Sequence, residues 1–480
     1  MTARAAILSG AGFGPSWPGV LGIAGLVFGS LAAAVAIRVL GLWALFLPMY
    51  AALAVITVRS PGLAAGILVL LAVSFEPGAV DPTAPIGDGL WLGPPGMDTL
   101  PVGPLEMLLV AVTAMLWWRR LPSDAPRLPA VAWVIPALMV LGFLYGQRKG
   151  APTNLAYHEA RGLLFAGVAF AAFRLMAPLD RVRAGRLFVA GTVVMALVLI
   201  ERYFFVVAPG RTSVPVERAF THEGPVMLAF AVVAAVVHFV RAESPGRRVS
   251  VVLYAALLLV AILVTGRRAA TLALLIGALV AVWYLVPRRP ALVLSLLVPV
   301  MVAGTAYLGV FWSREYGALA QPARAIRSQI DPSPRDYSSD LYREVELDNV
   351  LATIDLNPLF GVGFGKPFGT FQQLPDLTAW WPLQLYVTHQ NILWLWLKTG
   401  FFGITAFLTL WVLAVARCAR AIREAGDGVP FFPVVVSAGL FIVFAYASVD
   451  TALAETRSAV FAGLLAAAAF TLPIAKEQRR

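Results

Sequence analysis

Long apolar runs alternate along most of this chain with short polar connections. Runs at residues 187–208, 249–265 and 291–312 are long enough to cross about 30 Å of hydrocarbon as helices. No segment alternates apolar and polar positions as a membrane-spanning strand does. The pattern therefore predicts an all-α fold, a polytopic membrane helical bundle with about 12–14 transmembrane helices. The candidate spans are residues 17–37, 39–58, 61–75, 102–118, 129–146, 162–178, 187–208, 225–240, 249–265, 269–286, 291–312, 401–416, 431–449 and 458–473.

Composition indicates the same class of protein. Of the 480 residues, 60% are hydrophobic and 13% are charged, whereas soluble proteins carry about 25% charged residues. The N-terminus lacks a charged start, a short apolar core and a cleavage site in that order. We therefore expect the first apolar run to be retained as a span.

Positive charge is distributed unevenly between the two sets of loops that these spans create. One set carries most of the arginines, and the positive-inside rule places that set in the cytoplasm. Both termini are then cytoplasmic. The net charge of +11 mainly reflects these inner loops, so it indicates insertion in the plasma (inner) membrane and not binding to nucleic acid. The loops expected to face outward are residues 76–101, 147–161, 209–224, 266–268, 313–400 and 450–457.

One outward connection is far longer than the others, and it divides the chain into three regions. Apolar residues at Leu347, Val350 and Ile354, with acidic residues before them, predict a helix over residues 339–356. Asn357 and Pro358 end that helix. A long ordered loop of this kind is usually functional. The regions are an N-terminal transmembrane bundle at 1–312, an extracytoplasmic catalytic loop at 313–400 and C-terminal transmembrane helices at 401–480.

Four short motifs follow one another in the second half of the chain. In chain order, these motifs lie at a predicted outer membrane boundary, on the predicted loop helix, directly after that helix, and at the point where the loop re-enters the membrane. The motifs are Thr265-Gly266-Arg267-Arg268-Ala269, Tyr342-Arg343, Asn357-Pro358-Leu359-Phe360-Gly361-Val362-Gly363-Phe364-Gly365, and His389 with Gly400-Phe401-Phe402-Gly403.

This ordered set resembles the signature of the O-antigen ligase and polymerase superfamily, the Wzy/WaaL-type membrane glycosyltransferases of GT-C-like fold. Where that family usually has His-Asn, this chain has His389-Gln390, with Asn391 one position later. The resemblance implies inverting, metal-independent transfer of a glycan from an undecaprenyl-pyrophosphate carrier. The acceptor would be a glycan or lipid hydroxyl at the extracytoplasmic face of the membrane. No cofactor is expected, and the implied process is polysaccharide or lipopolysaccharide biosynthesis in the cell envelope.

Such a reaction needs a base for the acceptor hydroxyl and cations for the leaving pyrophosphate. A histidine accepts a proton near neutral pH, so His389 is the candidate base, with Gln390 and Asn391 in support. Arginine stays charged and pairs with phosphate oxygens through two hydrogen bonds. The candidate pyrophosphate ligands are Arg161, Arg267, Arg268 and Arg343.

Each candidate also has a purely structural interpretation. His389 can bond to backbone at the interface, and the arginines near the boundary, including Arg161, can anchor lipid headgroups. Arg343 can pair with Glu346 three residues later. The glycines at 361, 363 and 365 predict tight turns, because no strand precedes them as a nucleotide-binding loop requires.

Two other classes of membrane protein share some of these features. A lipid-linked glycan transporter or flippase is expected to have charges in mid-membrane or broken helices in repeated halves, whereas the notable polar groups of this chain lie at the predicted outer boundary. A SEDS-type peptidoglycan polymerase has a similar membrane body, but its acidic outer-loop signature is missing here. The sequence does not separate ligase from polymerase, and it does not identify the sugars or say which of Arg267 and Arg268 faces the site.

Overall fold

All regular structure in the described residues is helical, and six of the described helices are long and apolar enough to cross a membrane. The prediction of an all-α polytopic membrane protein is therefore confirmed. The predicted span at 17–37, with the expectation that it is retained, lies outside the described residues. The computed structural model describes residues 43–76, 90–91, 102–119, 129–208, 223–314, 318–328, 330–331, 334–378, 383–426 and 428–473.

The helices are numbered here in chain order. Proline occupies the first turn of several of them, where its missing N–H is not needed for a hydrogen bond. The helices are α1 Trp43–Arg59, α2 Pro61–Ser74, α3 Pro104–Trp118, α4 Val131–Arg148, α5 Thr153–Leu175, α6 Pro178–Arg202, α7 Gly224–Arg241, α8 Pro245–Thr265, α9 Arg268–Leu285, α10 Pro290–Phe311, α11 Gln321–Arg327, α12 Pro334–Leu356, α13 Asn391–Glu424, α14 Phe431–Ala447 and α15 Thr456–Phe470.

The chain divides into two compact units, residues 1–55 and 56–480. Of the first unit, the structure describes only part of α1. The second contains a continuous apolar core centred on α7, α14 and α15. Helix α15 packs closely on α5 because Gly463 has no side chain where the backbone of Ala166 lies against it.

Helix α10 is exposed along nearly its whole length in the described structure. Val293 is its one buried residue, while Val300 and Met301 are more than half exposed. In a soluble protein such a surface would be costly, but lipid tails are an apolar solvent for it. The exposure therefore agrees with a helix that faces lipid.

The helix predicted in the long loop is present as α12. It begins at Pro334, earlier than the predicted start at residue 339, and it ends at Leu356 as predicted. Its apolar residues Val350 and Ile354 pack against Phe368 and against Leu397 of α13. This contact docks the loop helix on the N-terminal part of α13.

The glycine-rich segment after α12 forms tight turns, as predicted. Gly361, Gly363 and Gly365 have φ values of 66°, 88° and 79°, in the left-handed region that side chains disfavour. Between them, the Val362 N–H donates to the Leu397 carbonyl at 2.7 Å. A further left-handed glycine, Gly400 at φ 70°, breaks α13 into two helical parts.

We expect Gly363→Ala to destabilise the fold by about 2–5 kcal/mol. A β-carbon there combines left-handed strain, about 1–2 kcal/mol, with overpacking of about 1–3 kcal/mol, because it would lie 2.5 Å from the Gly146 nitrogen. Thermal unfolding of the purified protein in detergent measures the effect. Gly150→Ala isolates the strain, since φ is 78° and nothing lies within 4 Å. Gly167→Ala, in open space on a helix, should be neutral or stabilising. Equal unfolding temperatures for all three would contradict this reading of the turn.

Candidate active site

Helix α12 presents Glu346 to His389, which lies just before α13. The Glu346 carboxylate accepts a hydrogen bond from the His389 backbone N–H at 2.9 Å, and its Oε2 lies 3.1 Å from the ring Nδ1. The Glu346 side chain is 3% exposed and that of His389 is 18% exposed. A buried carboxylate at Nδ1 favours the tautomer with its proton on Nδ1. The basic lone pair is then on Nε2.

The Tyr342 side chain packs against His389, and Tyr342 lies one turn before Glu346 on α12. Its ring meets the His389 ring edge-on with centroids 5.9 Å apart. Its hydroxyl accepts a hydrogen bond from the Gln384 amide at 3.2 Å. Burial, followed by the nearby Glu346 carboxylate, raises the pKa of Tyr342 to about 12, so the phenol stays neutral.

The side-chain amide of Asn391 anchors the segment that carries His389, and Gln390 contributes its backbone carbonyl. The Asn391 amide N–H donates to the Thr388 carbonyl at 2.8 Å. Its oxygen accepts from the backbone N–H groups of Leu453 and Ala454 at 2.6 and 2.8 Å. Gln390 precedes the first residue of α13, and its carbonyl accepts from the Trp394 N–H. Asn391 thus fixes the position of His389 against the loop between α14 and α15.

Arg343 lies on α12 between Tyr342 and Glu346. In the described part of the chain its guanidinium makes no hydrogen bond or ion pair, and the Glu346 carboxylate contacts His389 instead. The local pair with Glu346 that helical spacing allows is therefore not formed. Arg343 is therefore a cation with donors that no described residue uses, three residues before the carboxylate that contacts His389.

The arginine motif forms the turn between α8 and α9. Gly266 ends α8 in the left-handed conformation at φ 63°, and Arg267 precedes the first residue of α9. Arg268 donates to the Ser328 hydroxyl at 2.8 Å and lies 3.9 Å from the Asp340 carboxylate of α12. The structure thereby places the arginine motif beside the helix that carries Arg343. A small cleft opens here, lined by Ile262, Leu263, Gly266, Arg267, Arg268, Thr271 and Pro322.

Arg161, the fourth arginine predicted to bind pyrophosphate, is engaged elsewhere. Its guanidinium forms a two-pronged ion pair with Glu106 of α3, with distances of 2.5 and 2.8 Å. Glu106 is almost fully buried and also accepts the Gly103 N–H at 2.8 Å. No described hydrogen bond or ion pair joins Arg161 to Arg343 or His389.

Sequence reasoning missed a buried ion pair under the glycine-rich turns. Lys398 of α13 lies 2.7 Å from the carboxylate of Glu159 on α5, and both side chains are 0% exposed. The other oxygen of Glu159 accepts the Gly365 N–H. A lone lysine inside an apolar run was the available signal, because a charge buried that deeply needs a partner. The pair ties the turns to two helices next to the site.

Acidic and histidine side chains are dispersed among the described residues. In that part of the chain no three His, Cys, Asp or Glu side chains are grouped so that they could hold a metal ion.

Part of the chain matches a known protein family. Residues 253–408 match a family model described as O-antigen ligase. The matched stretch contains Arg267, Arg268, Arg343 and His389. The predicted resemblance to the O-antigen ligase and polymerase superfamily is thereby confirmed. No curated protein matches the chain.

Proposed function

Because this membrane protein carries an O-antigen ligase match at residues 253–408, we propose that it transfers a glycan from an undecaprenyl-pyrophosphate-linked donor to an acceptor hydroxyl. The observation that carries the proposal is the buried Glu346 carboxylate on Nδ1 of His389, one helical turn from Arg343. A base held by a carboxylate beside a cation with unused donors suits this reaction, in which one proton is removed and an anion departs.

His389 acts as the general base in this proposal. Its Nε2 takes the proton of the acceptor hydroxyl while the hydroxyl oxygen forms a bond to the anomeric carbon of the donor. The bond from that carbon to the pyrophosphate oxygen breaks, and its electron pair leaves with undecaprenyl pyrophosphate. Glu346 stabilises the imidazolium that results. Attack opposite the leaving group inverts the anomeric configuration.

Arginines neutralise the leaving pyrophosphate. Arg343 and the pair Arg267 and Arg268 are the proposed ligands, since they lie on facing elements joined by the Arg268 contact with Asp340. Arg161 would bind phosphate only after its two-pronged contact with Glu106 breaks. We therefore propose that its contribution is mainly long-range charge. With cations in place, the reaction needs no metal, and we expect transfer to continue in excess chelator.

The proposed site is extracytoplasmic and both termini are cytoplasmic. This orientation follows from the uneven distribution of arginine between the two sets of loops. It gives His389 access to a donor whose glycan is displayed at the outer face of the membrane. The membrane itself supplies the lipid-linked donor by lateral diffusion.

Purified protein in vesicles, with donor and acceptor supplied only on the outer face and chelator present, tests the function. Product molecules should appear and their masses can be measured. A ladder of carrier-linked chains identifies a polymerase, and a single addition to a different acceptor identifies a ligase. If donor disappears from the outer face without any new glycosidic bond, the transporter class replaces this proposal.

Glu346→Gln should lower the turnover number about 10- to 150-fold without changing the KM for the donor. The amide keeps the shape but loses a charged hydrogen bond, which is worth about 1.5–3 kcal/mol, and it stabilises the imidazolium less. Steady-state kinetics with the purified protein measure both constants. Glu344→Gln, on an exposed position of the same helix, is the matched control. An unchanged turnover number in Glu346→Gln would remove the carboxylate from the mechanism.

A further inference from the structure

A buried amide, Gln384, sets the orientation of the Tyr342 hydroxyl. Gln384 is 2% exposed, and its Oε1 accepts the Leu377 backbone N–H at 2.7 Å. Its Nε2 donates to the Pro375 carbonyl at 2.6 Å and to the Tyr342 hydroxyl at 3.2 Å. Because the amide oxygen is bound to an N–H group, the nitrogen is the end that faces Tyr342, and an amide nitrogen only donates. The Tyr342 oxygen is therefore the acceptor in this bond, and its own proton is left for another partner.

Within the described structure, no residue accepts the proton of the Tyr342 hydroxyl. The Glu346 carboxylate, one turn further along α12, makes its described hydrogen bonds to the backbone N–H and the ring Nδ1 of His389. Burial, followed by that carboxylate, raises the pKa of Tyr342 to about 12, so the phenol keeps its proton at neutral pH. Tyr342 is only partly buried. Its hydroxyl is therefore a hydrogen-bond donor that the fold orients and that a substrate can use.

The Tyr342 side chain lies beside the proposed base. The rings of Tyr342 and His389 meet edge-on, with their centroids 5.9 Å apart. Tyr342 and Glu346 are four residues apart on α12, so both project from the helix face that contacts His389. Arg343, a proposed pyrophosphate ligand, projects about 100° around the helix axis from Tyr342. The tyrosine is therefore grouped with the base, which receives the acceptor, and not with the arginines, which receive the donor pyrophosphate.

We propose that the Tyr342 hydroxyl donates a hydrogen bond to an oxygen of a sugar acceptor, next to the hydroxyl that His389 deprotonates. This inference rests on the proposed function, and it assigns a binding residue and a chemical class to the acceptor. In the proposed reaction the acceptor hydroxyl lies within hydrogen-bond distance of Nε2 of His389. A sugar carries oxygens on neighbouring carbons, so a second oxygen of the same ring comes within reach of the adjacent phenol. A simple lipid alcohol has no such second oxygen.

Tyr342→Phe should raise the KM for the acceptor about 2- to 10-fold, the usual contribution of a neutral hydrogen bond. The turnover number, its dependence on pH and the affinity for undecaprenyl pyrophosphate should stay near native values. Phenylalanine keeps the ring against His389, and Gln384 keeps its bonds to Leu377 and Pro375. Steady-state kinetics of the purified full chain, with acceptor varied at saturating donor, measure these constants. A purely structural tyrosine would instead change the turnover number or the unfolding temperature.

Altered acceptors identify the oxygen that Tyr342 binds. The probe is the glycan that gains a residue in the vesicle experiment, used intact and as a series in which one hydroxyl at a time is replaced by hydrogen. One member of the series should raise the native KM by the same factor as Tyr342→Phe does. That analogue should cause no further rise in Tyr342→Phe, because the bond that it lacks is already absent. Tyr337→Phe, the same change at an exposed position on α12, is the matched control and should follow the native protein with every acceptor.

Four results would overturn the inference and leave the proposed glycan transfer intact. The first is an unchanged acceptor KM in a folded Tyr342→Phe protein. The second is a Tyr342→Phe protein that does not fold, which would assign the hydroxyl to stability. The third is a series in which every lost hydroxyl adds its full effect to that of Tyr342→Phe. The fourth is an acceptor that contains no sugar. If the native protein transfers no glycan from the undecaprenyl-pyrophosphate donor, the proposed function and this inference are both contradicted.

Discussion

Replacing His389 with alanine is expected to slow glycan transfer by about 10²–10⁴-fold, the usual contribution of a general base. The side chain contacts Glu346 but contributes little to the core, so the variant should fold, insert in the membrane and bind the lipid-linked donor. The rate loss should therefore appear in the turnover number, while the affinity for undecaprenyl pyrophosphate stays near the native value. Steady-state transfer and binding by the purified variant measure the two quantities separately.

His158→Ala is the matched control for this variant. His158 lies on α5, where its ring contacts the ring of Tyr157, and its loss should have a much smaller effect. His222, in the loop 209–224 that is also expected to face outward, lies outside the described residues. Full activity in a folded His389→Ala protein would remove the base from the reaction and make the transporter class the better interpretation.

Replacing Arg343 with alanine should lower kcat/KM for the donor about 10- to 150-fold. Hydrogen bonds to charged groups contribute about 1.5–3 kcal/mol each, and Arg343 has donors that no described residue uses. Arg343→Lys should recover little of this loss, because a single ammonium cannot reproduce the two parallel bonds of a guanidinium. Transfer assays at subsaturating donor measure kcat/KM directly.

Arg314→Ala provides a control for the loss of one positive charge. Arg314 lies just beyond α10, and its guanidinium lies over the Phe311 ring, 5.4 Å from the ring centroid. Its removal should change neither donor use nor thermal stability appreciably. If Arg343→Lys used the donor as well as the native protein, Arg343 would be reassigned to a structural role on α12.

Local sequence signals, namely hydropathy, helix-ending residues and glycines, predicted the helical class, the loop helix and the glycine turns, because each depends on residues close together in sequence. Helix ends were less accurate. The span predicted at residues 162–178 belongs to α5, which begins at Thr153. Its first turns carry polar residues such as His158, Glu159 and Arg161. Hydropathy marks the part of a helix that lies in hydrocarbon and not the whole helix.

The start of α13 was also missed by hydropathy. A span was predicted from residue 401, and the structure has helix on both sides of Gly400, from Asn391 to Glu424. The short first part contains a charged residue, Lys398, whose ammonium group is paired inside the protein with the Glu159 carboxylate. A long-range ion pair of this kind leaves no periodic signal in sequence.

The candidate site could be predicted only in part from the sequence. Residue chemistry and motif order selected His389 and the arginines, but the decisive contact joins residues 43 positions apart, Glu346 and His389. The helical spacing instead suggested an ion pair between Glu346 and Arg343. The partner of Arg161 is also distant, since Glu106 precedes it by 55 positions. Tertiary packing chooses between such partners, and a single sequence does not record that choice.

The central claim is that transfer is a single displacement from a lipid pyrophosphate, with His389 as base. A single-turnover reaction of purified protein with defined donor and acceptor tests it most directly, by counting released undecaprenyl pyrophosphate and determining the anomeric configuration of the product by NMR. We expect one undecaprenyl pyrophosphate for each glycan transferred, with the configuration inverted. Retention of configuration, or a glycosidic bond formed without release of undecaprenyl pyrophosphate, would contradict the account.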